Sequence, residues 1–172
     1  MAERTEPSFS NGDDLDLALW GKLLLTAIAP TVAQDRDPGD YLRMASAGAA
    51  RLSGPVRLYQ HTAFTAPLVD MQATYAYASL GRPGPALDAA EKIRPDDLIG
   101  ISRGAHLMDV AQAHVHAGHW RAAETPLLEA RSVSPTWFRH QRVARQAVSQ
   151  MREHQRRLTP AVRSLAKSLA MR

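Results

Sequence analysis

Gly81 and Gly118 lie 37 positions apart, and so do Ala86 and Ala123. When a turn-forming residue and a small packing residue keep the same long interval, the chain is constrained to a stack of like units. The second copy is the clearer one. From Arg103 to Pro135 the sequence reads RGAHLMDVAQAHVHAGHWRAAETPLLEARSVSP. Leu107, Val110, Ala111 and His114 recur at helical spacing, and Gly118 interrupts them. Ala122, Ala123, Leu127, Leu128 and Ala130 resume the pattern, and Pro135 stops it. The unit is a helix, a glycine-centred turn, a second helix and a proline stop.

The rest of the chain divides in the same way. Residues 1–12 are polar and carry Pro7, Asn11 and Gly12, which predicts a disordered N-terminal segment. Residues 13–172 form the helical repeat domain. Asp13 or Asp14 caps a helix running to about Gln34, with Leu15, Leu19, Leu23 and Ile28 as its apolar stripe and Trp20 adding bulk. Pro30 is expected to kink that helix or end it early. After the turn DRDPGD, Asp37 or Asp40 starts an Ala-rich second helix closed by SGP. A third helix begins near Thr65–Pro67, where proline suits a first turn, and ends at Gly81. A short fourth runs from Ala86 to Ile93. Helices five and six are the opening unit. One turn at Thr136–Arg139, a helix from Arg142 to Arg157 and a last helix capped by Thr159-Pro160 complete the chain. No segment reads as a strand.

Composition fits close helix packing, because 45% of the 172 residues are hydrophobic and only 6% are aromatic. Small side chains let helix axes approach. Cysteine is absent, which excludes a disulfide framework and thiolate chemistry and suits a reducing cytoplasm. The N-terminal residues lack the apolar core of a signal peptide, and no apolar run is read as reaching the roughly 18 residues that a bilayer demands. A cytoplasmic location without membrane contact is therefore expected.

Leu107, Ala111, Gly118, Ala123, Leu127, Ala130 and Pro135 sit at the signature offsets of a tetratricopeptide repeat (TPR), which the segment resembles. His114 stands where that signature has a large aromatic, and Leu107 where it has Trp. The resemblance implies an all-α, TPR-like right-handed solenoid of about eight antiparallel helices in four pairs. Three longer stretches, HLMDVAQAHVHAGHWRAAETPLLEARSVSP, RHQRVARQAVSQM and LTPAVRSLAKSLA, are similar to the C-terminal half of actinobacterial Xre-type transcriptional regulators. In those proteins a TPR-like sensor domain follows an N-terminal helix-turn-helix domain. The likeness covers roughly residues 13–172. The family's DNA-binding domain needs far more chain than the dozen residues ahead of the first helix. The expectation is thus a sensor domain cut from a longer regulator, or a stand-alone relative without DNA binding. Either implies regulation or scaffolding, with no catalysis.

The residues themselves give little chemistry. His106, His114, His116 and His119 crowd one segment with Asp109, but a two-residue step turns a helix by about 200°, so 114 and 116 diverge and no metal set is expected. A partly buried histidine here can titrate near neutral pH. Asp70 and Asp109 fall in helix interiors without forming an acid–base pair, and GRPGP and GAARLSGP are not phosphate loops. Neither an enzyme nor a cofactor is expected. The first helix of each TPR pair lines a concave face. At those offsets stand Leu68, Met71 and Tyr75, then Met108, Gln112 and His116. This apolar, Met-bearing lining suits a peptide or helix of a partner protein, or equally serves as core. A small-molecule or peptide sensor is the alternative. Homodimerisation through an exposed apolar end, notably the Trp20 helix, is a further possibility.

Charge is unevenly spread. From Arg139 onward nine Lys/Arg stand against Glu153 alone, whereas residues 1–138 hold twelve against sixteen Asp/Glu. Arg145, Arg152 and Arg156 can share a helix face, with Arg142 one turn from Arg145. Such a basic stretch can meet nucleic-acid phosphates, pack on acidic surface of its own or a sister chain, or be solvated. Nucleic acid is the less favoured partner, and single-strand stacking is not expected because no aromatic is interleaved after Phe138.

Overall fold

A computed structural model describes residues 13–58 and 63–171. The polar segment 1–12 lies outside the described residues. Among the described residues the chain is all-α apart from one small ladder. Its helices are α1 (Asp14–Ala33), α2 (Gly39–Ala50), α3 (Ala66–Ser79), α4 (Pro83–Ala90), α5 (Gly100–His116), α6 (Glu124–Val133), α7 (Pro135–Arg139), α8 (Arg142–His154) and α9 (Pro160–Ser168).

Local chemistry sets the helix starts. Asp13 accepts from the Leu15 backbone N–H, Thr65 from Leu68, Ser134 from Trp137 and Thr159 from Val162, so each satisfies a donor left free in a first turn. Proline occupies the first turn of α3, α4, α7 and α9, where its missing N–H costs nothing. That is why α4 begins at Pro83, earlier than the expected Ala86.

The helix ends repeat. After α3, Gly81 takes φ 66°, its N–H donates to the Ala78 carbonyl and the Arg82 N–H donates to Tyr77 O at 2.8 Å. After α5, Gly118 takes φ 73°, its N–H donates to Val115 O and His119 N–H donates to His114 O at 2.8 Å. The two glycines that set the interval in sequence thus close identical left-handed caps. The same cap ends α1, with Asp35 at φ 55° in the glycine's place and Arg36 N–H donating to Thr31 O.

The helices pack in pairs: α1 on α2, α3 on α4, α5 on α6, and α8 on α9, with α7 against α6. The first members of the pairs also touch in succession, α1 to α3, α3 to α5 and α5 to α8. Ala18, Trp20, Leu24, Leu25, Ile28, Leu42, Phe64 and Val69 form a core at one end. Met108, Leu127, Phe138, Val148, Met151, Val162, Leu165 and Leu169 form another. Ala78, Ala86 and Ala113 make a thin seam where α3, α4 and α5 meet.

Several expectations are corrected. Pro30 does not end α1 early: the helix continues to Ala33, with Pro30 exposed in the last turn, where one lost hydrogen bond faces water. The stripe of α1 is also different. Leu15, Leu19 and Leu23 are 46%, 47% and 51% exposed, whereas Trp20 is only 4% exposed. Leu17, Gly21, Leu24 and Ile28 face inward with it. By length and composition α1 is also apolar enough to cross a bilayer, contrary to expectation, although this face is packed inside the protein. The basic helix α8 stops at His154, short of Arg157.

A strand does form. Val56–Arg57 pairs antiparallel with Ala63–Phe64, and Phe64 is fully buried. The reason lies in what Phe64 fills. A Cβ on Gly21 would overlap its ring, and one on Gly48 would come within 3.9 Å of it and 3.2 Å of Trp20. The short ladder holds the ring between two helices that approach closely only because both lack side chains there.

A candidate binding cleft between the first helices

Because α1, α3 and α5 lie side by side, each offers one stripe of residues to a common face. Ala29 of α1, Met71, Gln72 and Tyr75 of α3, and Ala105 and Asp109 of α5 line a cleft of about 290 Å³ there. The spacing explains the set: 71, 72 and 75 lie on one side of a helix, as do 105 and 109. Met71, Gln72, Tyr75, Ala105 and Asp109 are all half-buried.

Asp109 is the polar feature of this cleft. It has no hydrogen-bond or ion-pair partner among the described residues, and burial pushes its pKa up to about 7. The cause is desolvation of the charged form, with no nearby cation to offset it. Asp70, one helix back, contrasts with it. Burial raises that group too, but Lys92 at 3.8 Å pulls the other way.

The residues expected on this face divide. Met71 and Tyr75 line the cleft together. Leu68, half-buried one turn before Met71, packs on the Trp20 and Phe64 core. Gln112 is half-buried and His116 exposed, continuing the helical stripe of Ala105 and Asp109. Met108 is not on the surface at all. It is 4% exposed in the core with Ala111 and Leu127, one residue out of phase with Asp109. Gln72, Ala105 and Ala29 carried no sequence signal, and Asp109, read there as a helix-interior acid, was not placed on this face. The signal for Asp109 was that it is the one acid of α5.

The histidines do not converge. His106 is buried with Nδ1 unpartnered, and desolvation lowers its pKa to about 4. It lines a separate, smaller cleft with Leu98, Arg103 and Glu129. His114 is half-buried, also with Nδ1 unpartnered, and its pKa is lowered by burial and by His119, whose ring centre is 6.0 Å away. Among the described residues no three His, Cys, Asp or Glu side chains gather into a metal-holding group.

The basic residues do not form one stripe either. Arg145 donates to the carbonyl of Leu169 at 2.7 Å and of Arg139 at 3.3 Å, which ties it to the end of α9. Arg142 is exposed, Arg152 is half-buried, and Arg156 lies beyond the last turn of α8, so it cannot share that helix's face.

Comparison with known proteins returns no matching family, no matching characterised relative and no matching solved structure.

Proposed function

We propose that this chain is a TPR-like right-handed helical repeat domain that binds a peptide or helix of a partner protein on the face made by α1, α3 and α5. The observation that carries the reading is the cleft itself. It opens on the first helices of successive pairs, its walls are apolar and adaptable at Met71 and Tyr75, and its one charged group has no partner among the described residues. The 37-residue interval and the matching caps at Gly81 and Gly118 support the repeat architecture. The likeness to Xre-type regulators favours a cytoplasmic regulatory role for the face, with no catalysis.

A second reading is a small-molecule sensor of a transcriptional regulator, favoured by the size of the cleft, which lies at the lower end of ligand pockets at about 300 Å³. Binding of nucleic acid through Arg142, Arg145, Arg152 and Arg156 is the weakest reading, because Arg145 already serves the end of α9.

Native mass spectrometry of the full chain from its own host separates the first two. A retained small mass favours the sensor. A retained polypeptide, lost in Tyr75→Asp while circular dichroism stays helical, favours the partner-binding face. If neither the parent nor its partner complex responds to Tyr75→Asp or Met71→Asp, the site lies elsewhere.

A further inference from the structure

Resting on that reading, we infer that the cleft receives a cationic side chain on an apolar stem, a lysine or arginine of the partner, with Asp109 as its counter-ion. The cleft's other walls are the side chains of Ala29, Met71, Tyr75 and Ala105 and the amide of Gln72. These suit the methylene stem of a long basic residue, which buries its carbons and carries its charge at the tip. The Tyr75 ring adds a face that attracts a cation, and the Gln72 carbonyl is a further acceptor.

Charge selects this occupant over others. Among the described residues Asp109 is the only charged group that lines the cleft, and neither α1 nor α3 brings a basic residue to it. A carboxyl set in a mostly apolar hollow without a partner is costly to the free protein. A phosphate or carboxylate ligand would meet a like charge. A neutral apolar ligand would desolvate Asp109 further and give nothing in return. An ammonium or guanidinium ion supplies what the fold withholds, and its hydrogen bonds to an ionised acceptor are the stronger kind.

The test uses the full chain with pentylammonium and butylguanidinium as mimics of the two side chains, and pentan-1-ol as the uncharged isostere. Methyl resonances of Met71, Ala29 and Ala105 are followed by NMR. Both cations are expected to shift them, with affinity about tenfold above that of pentan-1-ol, and Asp109→Asn is expected to abolish the difference. Asp109→Asn removes a buried charge, so loss of fold is not the expected cause of a null result, and circular dichroism checks this. Equal binding of the cations and the alcohol, or unchanged cation binding in Asp109→Asn, overturns the inference. So does a failure of every probe to move the cleft methyls. The two readings remain separable in a partner complex. Capture that survives Asp109→Asn but not Tyr75→Asp rejects the cation and keeps the face, and capture that survives both rejects the face as well.

Discussion

The two cores are built differently. The one around Phe138 is assembled wholly from helix faces: Met108 from α5, Leu127 from α6, Val148 and Met151 from α8, Val162 and Leu165 from α9. The one around Phe64 depends on a residue that belongs to no helix. Phe64 is delivered by a two-residue strand into space left open by Gly21 and Gly48. Between them stands a small seam of alanines with Tyr77 and Leu87 packed against it. A core made of helix faces is redundant, since each helix contributes several side chains. A core made around one ring fails with that ring.

This contrast can be broken most forcefully by removing the rings. Phe64→Ala and Phe138→Ala both empty fully buried sites, and each is expected to cost about 3–5 kcal/mol in urea unfolding. The damage should differ in reach. Amide exchange in Phe64→Ala is expected to rise across α1, α2 and α3 and to remain near the parent's rate in α8 and α9, because the seam transmits little packing strain. Uniform acceleration would mean that the two cores unfold as one.

Glycine substitution sharpens the comparison with a smaller effect. In Gly21→Ala the new methyl meets a ring that is fully enclosed, so a loss of about 2–3 kcal/mol is expected. In Gly104→Ala it would stand 2.9 Å from Trp137, a half-buried ring at the edge of the other core that can move aside. The loss there should be no more than about 1 kcal/mol. Phe64→Leu should partly rescue Gly21→Ala, measured as a non-additive double-mutant cycle.

Asp109 and His106, both unpartnered on α5, pull in opposite senses with pH. Asp109 holds its proton up to about 7 in the folded chain, whereas an unfolded Asp releases it near 3.8. Stability from this group is therefore highest in acid and falls as pH rises from about 4 to about 7. His106 accepts a proton only near 4 when folded but near 6.5 when unfolded, so stability from it is lost as pH falls across that window. Asp109→Asn is expected to stabilise the chain on the order of 2 kcal/mol at pH 8. Near pH 4 the gain should vanish, and the acid loss caused by His106 should steepen between. Thermal unfolding across that range reads both.

The smallest effects belong to the helix caps. Gly118→Ala should cost about 1 kcal/mol, since a Cβ resists the left-handed conformation. Asp35→Gly should add about 0.5 kcal/mol at the matching turn, where an acid now pays that strain. No gain, or a loss, in Asp35→Gly would deny that the turns are equivalent.

Much of this was legible beforehand. Thr65, Ser134 and Thr159 act where a capping residue precedes a proline-bearing first turn, and Gly81 and Gly118 close helices where the interval places them. These are interactions among residues a few positions apart, so a linear pattern contains them. Met71 and Tyr75, expected on the concave face from the repeat offsets, do line a cleft in the structure. Met108 does not, because the phase of a helix shifts its neighbours between core and surface with a single residue.

What the sequence determined by itself was thus the helix-turn-helix unit, its interval, its caps and its lack of cysteine chemistry. The tertiary structure alone decided which side of α1 is inside. That helix is apolar on nearly every face, so its periodicity expresses no preference. The choice was made by Phe64, forty-odd positions away, fitting against Gly21 and turning Leu15, Leu19 and Leu23 to the outside. Tertiary structure likewise gave Asp109 its character. An acid in a helix is ordinary until α1 and α3 close over it with apolar side chains and bring no positive charge.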